Sequence, residues 1–157
     1  IEGQALYIMQ DADYQLFGAS CIKELEISSM DEELNTEALK ALNLYEFKDA
    51  HPYSLSGGQK QRLQMAISSV SQHKVIILDE PTSGLDKRSM HRVVEQLESM
   101  KRNHTIIIIS HDYEFIRNIT DRIFYLEDGR IRGNFYLDED NVSQLNKTFE
   151  EMEAFYE

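Results

Sequence analysis

Apolar residues recur along the chain with two periods. Between Asp11 and Leu44 the chain is polar and helical in pattern, with Leu34, Ala38 and Leu42 four apart, so a helix over Glu32 to Leu42 is expected to turn that face inward. His51, Pro52, Tyr53 and Ser54 break the pattern. A second helix is predicted from Gly58, with Leu63, Ala66, Ile67 and Val70 as its apolar stripe. The other period is that of strands. Ala5 to Met9 reads as the end of one, and Val75 to Leu78 and Thr105 to Ile109 are continuous apolar runs, the pattern of strands buried on both faces. Pro81 stops the first of these runs just after Asp79 and Glu80, and Ser89 to Lys101 between them carries Val93, Val94 and Leu97 at helical spacing. A short helix near Tyr113 to Asn118 follows. Arg122 to Leu126 and Ile131 to Tyr136, split by Asp128 and Gly129, then read as an antiparallel hairpin at the sheet edge. The tail from Asn141 to Glu157 has an amphipathic helical pattern through Val142, Leu145, Phe149 and Met152. Strand alternating with helix predicts an α/β fold with a parallel sheet.

Composition narrows the class. The chain has 157 residues, 41% hydrophobic and 28% charged, the balance of one globular domain and not of a disordered or repetitive chain. No apolar run approaches the roughly 20 residues that span a bilayer. There is no basic start followed by an apolar segment, and Cys21 is the single cysteine, so a disulfide framework is unsupported and a reducing cytosol is the expected compartment. With 28 acidic against 16 basic residues the net charge is −12, which repels phosphate backbones at long range. No nucleic acid is expected as a partner. Small phosphate-bearing ligands are not excluded, because backbone N–H groups bind anions locally whatever the overall charge.

Three places can carry chemistry. Leu55-Ser56-Gly57-Gly58-Gln59 sits where a loop becomes a helix; either its amides approach an anion at the positive end of the helix dipole, or Ser56 caps the helix and the glycines shape the turn. Asp79 and Glu80 end an apolar strand at the edge where open α/β sheets place their ligands. Side chains alternate along a strand, so one carboxylate can bind Mg²⁺ while the other orients water, or both merely terminate the strand. His111 ends the next strand on the same edge, where it reaches either a phosphate oxygen or a neighbouring loop. His51, His73, His91 and His104 have no metal-ligand spacing to one another or to Cys21.

Together LSGGQ at 55–59, VIILDEP at 75–81, SGLD at 83–86 and SHD at 110–112 resemble the ATP-binding cassette proteins, in order and spacing as well as in wording. The resemblance implies a P-loop NTPase-like parallel sheet core, here partial, with a helical lobe carrying the signature motif. It implies that Glu80 is the catalytic base and His111 the switch histidine, that Asp79 and Gln10 attend to Mg²⁺, and that Gln10, Ser56, Gly57, Gly58, Gln59 and Asp86 contact ATP. MQDADYQLFG at 9–18, SHDYEFI at 110–116 and YLEDGRI at 125–131 are similar to the energy-coupling-factor importers, whose ATPases drive uptake of vitamins and transition-metal ions.

One departure stands out: no G-x-x-x-x-G-K-[ST] occurs, although the family places this phosphate-cradling loop upstream of the Gln10 segment. The chain is therefore expected to be the C-terminal two-thirds of one nucleotide-binding domain, with a helical lobe at about 11–72, a sheet core at about 73–136 and a tail at 137–157. By itself it is expected neither to bind ATP tightly nor to hydrolyse it. In the complete protein the resemblance implies an ATPase of a head-to-tail pair of cassettes, peripheral at the inner face of the membrane and coupled to a transmembrane subunit. Tyr14, Leu16 and Phe17, set among acidic and polar residues in Asp11 to Gly18, are expected either to dock that subunit or, for Leu16 and Phe17, to pack into the helical lobe. The alternative is a non-transport cassette ATPase of the translation or DNA-repair type, which the short acidic stretch from Gln10 to Leu44 disfavours.

Overall fold

The computed structural model describes residues 5–138 and 140–156, which fall into two compact units that divide after His111. The first holds three parallel strands in the order β1 (Ala5–Ile8), β2 (Val75–Asp79), β3 (Thr105–Ile109). Three helices, α1 (Cys21–Ser28), α2 (Glu32–Ala41) and α3 (Gly57–Val70), join β1 to β2, and α4 (Lys87–Met100) joins β2 to β3. The α/β class with a parallel sheet is as expected.

Within the first unit the described residues cover one face of the sheet, whereas its apolar runs are expected to be buried on both. Ile8, Ile76 and Leu78 are buried, whereas Ile107 and Ile109 are about half exposed on the opposite face, beside Tyr7. Strand order explains this. Both crossovers step the same way across the sheet, and crossovers of one hand stepping one way lie on one side.

In the helical lobe α1, α2 and α3 pack on one another around Leu25, Leu39, Leu42 and Leu63, all fully buried. The inward face of α2 is Asn35, Ala38 and Leu39 rather than the expected line through Leu34, which is 44% exposed. Asp31 caps this helix by accepting from the Leu34 amide, and the Asn35 side-chain amide donates to the Ser29 carbonyl at 2.9 Å, which satisfies one end of the buried side chain and leaves Oδ1 without a partner among the described residues.

The second unit contains α5 (Tyr113–Ile119), β4 (Arg122–Glu127), β5 (Arg130–Tyr136) and α6 (Val142–Tyr156). Asp128 and Gly129 both have positive φ, 49° and 71°, as a two-residue type I′ turn requires. The hairpin does not form the expected edge of the parallel sheet: among the described residues its strands pair only with each other, the tight turn giving β5 its partner in β4. Leu145 is buried on α6 and Tyr113 meets the Phe149 ring edge-on at 5.3 Å; the side chain of Met152 and residue Glu157, both placed in the tail helix from sequence, lie outside the described residues. No helix among the described residues is long and apolar enough to cross a membrane.

Candidate functional site

Register brings the candidate residues to one edge. β1 pairs Ile8 with Leu78 and β2 pairs Asp79 with Ile109, so Gln10, the Asp79–Glu80 pair and the Ser110–His111 pair all leave the sheet at its C-terminal edge, where open α/β sheets place ligands.

Glu80 is the most constrained residue there. Its φ is +48°, a left-handed conformation that costs a non-glycine residue about 1–3 kcal/mol. Its surroundings hold it in place: its N–H donates to the Ile109 carbonyl at 2.9 Å, and its carbonyl accepts from the Ser83 amide at 3.1 Å and the Gln61 side chain at 3.3 Å. The effect is to turn the side chain off the strand toward His111. Glu80 Oε1 lies 2.7 Å from His111 Nδ1, and Oε2 accepts from the Ser110 hydroxyl at 3.4 Å. The carboxylate is mostly buried, with 16% of its side chain exposed, while the imidazole is 78% exposed. An ionised carboxylate only accepts, so Nδ1 must donate, and Nε2 is the nitrogen left for a ligand.

Asp79 points elsewhere. Its Oδ2 accepts from the Tyr7 hydroxyl at 2.7 Å, and this hydrogen bond to a carboxylate raises the Tyr7 phenol above its ordinary value. Sequence reasoning missed Tyr7; its place beside Asp79 follows from the β1–β2 register, which sets it opposite Ile77 and which the sequence alone does not display. Described residues hold no cluster of three or more His, Cys, Asp or Glu side chains fit for a metal. One hard carboxylate fits Mg²⁺ that arrives with phosphates, because this ion takes one or two carboxylates, water and substrate oxygens and not an all-protein cage.

The second group surrounds the start of α3. Ser56 and Gln59 form a reciprocal cap, Ser56 Oγ accepting from the Gln59 amide and Gln59 Oε1 from the Ser56 amide at 2.8 Å. Ser56 is thus a cap, and that bond uses a lone pair and leaves its hydroxyl proton for another acceptor. Gly57 and Gly58 line an open cleft of about 530 Å³ together with Gln10, Asp13, Lys60, Gln61, Ser83 and Gly84. Asp86 caps α4 through the Ser89 amide at 2.7 Å; that backbone bond, with Ser89's side chain and the nearby Arg62, holds its carboxyl below the ordinary range. Gln10 is exposed at the cleft and Leu16 is buried, whereas Tyr14 and Phe17 are exposed at 69% and 77%.

A Treponema denticola protein described as an ABC transporter ATP-binding protein is 41% identical over 150 residues, covering 92% of this chain and 30% of its own length. The energy-coupling factor transporter ATP-binding protein EcfA2 of Clostridium acetobutylicum is 33% identical over 144 residues, 84% of this chain and 50% of that protein. The solved structure of cbiO1 from Clostridium perfringens, part of the ABC transporter complex cbiONQ, matches with a TM-score of 0.74 at 29% identity, over 93% of this chain and 61% of that one. The chain therefore spans between about a third and about three-fifths of these relatives. A sequence profile described as ABC transporter matches residues 2–83, and on these likenesses the chain belongs to the ABC transporter family.

Proposed function

We propose that the chain is the signature-motif and Walker B part of a nucleotide-binding domain that hydrolyses ATP and drives solute uptake through a membrane partner. The observation that carries this reading is the Glu80–His111 pair, fixed at the C-terminal edge of the sheet by a strained backbone. Phosphoryl transfer to water needs positioning and charge stabilisation more than covalent help. Glu80 Oε2 takes a proton from the attacking water, while Oε1 stays held by His111. His111 offers Nε2 to the γ-phosphate. Asp79 and Gln10 would hold Mg²⁺, which supplies neutralising charge for the phosphate oxygens. Ser56, Gly57, Gly58 and Gln59 face the nucleotide of a second cassette, and Asp86 ends the adjoining loop with its carboxylate already engaged in the cap.

In this reading residues 11–72 act as a helical lobe, the stretch from 73 through β3 as part of the sheet core and 137–157 as a tail, while the hairpin at 122–136 pairs only with itself among the described residues and is not counted in that core. The two cassettes work head to tail at the inner face of the membrane. Tyr14 and Phe17, exposed beside Gln10, suit contact with a cytoplasmic segment of a transmembrane subunit. The likeness to EcfA2 and cbiO1 favours an importer of the energy-coupling-factor kind. Residues 1–157 have no G-x-x-x-x-G-K-[ST], so by themselves they neither bind ATP tightly nor turn it over.

Kinetics of the intact protein test the assignment. Glu80→Gln should lower kcat about 10²–10⁴-fold, the range of a lost general base, with ATP still bound. Asp79→Asn should instead weaken Mg²⁺-dependent binding. Wild-type turnover in Glu80→Gln refutes the base, and equal phenotypes at the two positions refute the division of roles.

A further inference from the structure

Two side chains one turn apart on α3 reach the loop that carries Gln10. Gln64 is 2% exposed, and its amide donates to the Met9 carbonyl at 3.3 Å and to Gln15 Oε1 at 3.1 Å. Gln15 in turn closes the loop on itself, accepting from the Met9 amide at 2.7 Å and donating to the Tyr7 carbonyl at 2.8 Å, much as a neighbouring strand would. Lys60 makes the other attachment. Its ammonium lies 2.5 Å from Asp13 Oδ1 and 5.4 Å from the centre of the Tyr53 ring, and the Tyr53 hydroxyl donates to the Asp13 carbonyl at 3.3 Å.

The two attachments differ in kind. The one at Gln64 is neutral and buried. The one at Lys60 is charged and set at the rim of the cleft, with 14% of the Lys60 and 52% of the Asp13 side chain exposed. Gln10 lies inside the ring that Gln15 closes, and Gly57 and Gly58 begin the helix that carries both attachments. A displacement of Gln10 therefore either moves the start of α3 or breaks the Lys60–Asp13 pair first, because that pair alone can exchange its partner for water without leaving a buried amide unsatisfied.

We infer that Lys60 is a positioning residue for the ATPase reaction, fixing through Asp13 the spacing between Gln10 and the Gly57–Gly58 helix start. The inference rests on the ATP-hydrolysing reading above. The part of Lys60 is to set where Gln10 and the Gly57–Gly58 helix start, the two groups assigned to ligand above, stand relative to each other.

The intact protein tests this with Lys60→Met, Asp13→Asn, their combination, and the exchange Lys60→Asp with Asp13→Lys. Each single variant should lower kcat about tenfold and leave KM for ATP within about twofold, since misplacing reacting groups by a fraction of an ångström acts on the chemical step. Melting temperatures of the single variants should stay within about 3 °C of wild type, as for partly exposed positions. The combined variant should be no worse than either single one, and the exchange should recover turnover to within about threefold of wild type. Normal turnover in Lys60→Met and Asp13→Asn, with wild type active, overturns the inference alone. So does an effect confined to KM, which would place Lys60 on the nucleotide, or additive losses without recovery in the exchange. An intact wild-type protein that hydrolyses no ATP overturns the ATPase reading and this role with it.

Discussion

Gly57 and Gly58 occupy the first turn of α3, and nothing within the described chain requires glycine at either position. Neither has positive φ; the described glycines that do are Gly84 and Gly129. A methyl group at 57 would meet no atom within 4 Å, and one at 58 would meet Leu85 Cδ2 at 3.4 Å, ordinary van der Waals contact, with the Gly84 carbonyl and Arg62 farther off. Alanine in a helix is favoured over glycine by roughly 0.5–1 kcal/mol. Gly57→Ala should therefore raise the melting temperature of the intact protein by about 1–4 °C, at some 2–4 °C per kcal/mol for a domain of this size class. Gly58→Ala should be near neutral. Both should nevertheless depress ATP turnover, by about 10²-fold if the methyl displaces a phosphate by 1 Å. Calorimetric melts and steady-state ATPase assays on the same preparations separate the two effects. Turnover unchanged in both variants would mean that no ligand approaches this backbone closely, and the glycines would then need another explanation.

Other outcomes follow from packing and charge. Leu39→Ala should cost the intact protein about 2–5 kcal/mol in urea unfolding and Leu34→Ala under about 0.5, because only Leu39 is fully buried; the reverse order would restore the face expected from spacing. Burial pushes the Cys21 thiol up, and it donates to the Ala50 carbonyl at 3.3 Å, so iodoacetamide at pH 8 should label native protein at least tenfold more slowly than urea-unfolded protein. Equal rates would refute its burial. The lowered Asp86 carboxyl contributes stability that is present above the ordinary carboxylate pKa of about 3.9 and is lost as pH falls through the native value. Asparagine caps as well as aspartate, so Asp86→Asn should be less stable than wild type at pH 7, with the gap narrowing as pH falls below the ordinary carboxylate range; a difference independent of pH would remove the charge from the explanation.

Local signals in the sequence located most elements and the sheet edge. Asp128 and Gly129 announced their turn, Ser56 its helix, and the runs ending at Asp79 and Ile109 their strands. What escaped was set by tertiary contact. The inward face of α2 takes in Asn35 and Leu39: the Ser29 carbonyl accepts from the Asn35 amide, a partner that spacing cannot display, while Asn35 Oδ1 is buried without a hydrogen-bond partner among the described residues. The open sheet face follows from strand order, which apolar runs do not encode. Glutamate has no preference for the left-handed region, so the turn that aims Glu80 at His111 is set by tertiary bonds, from its N–H to the Ile109 carbonyl and from Ser83 and Gln61 to its own carbonyl. The link from Lys60 to Asp13 joins residues 47 apart in the chain, and neither looks unusual alone.

The central proposition is that the helix start at Ser56 to Gly58 faces the γ-phosphate of bound nucleotide. Vanadate trapped with ADP and Mg²⁺ in the intact protein takes the place of that phosphate, and ultraviolet irradiation then cuts the backbone of residues beside it. Fragments mapped by mass spectrometry should end within Ser56 to Gly58. Trapping without cleavage anywhere in that stretch, under conditions where turnover is inhibited, would contradict the assignment.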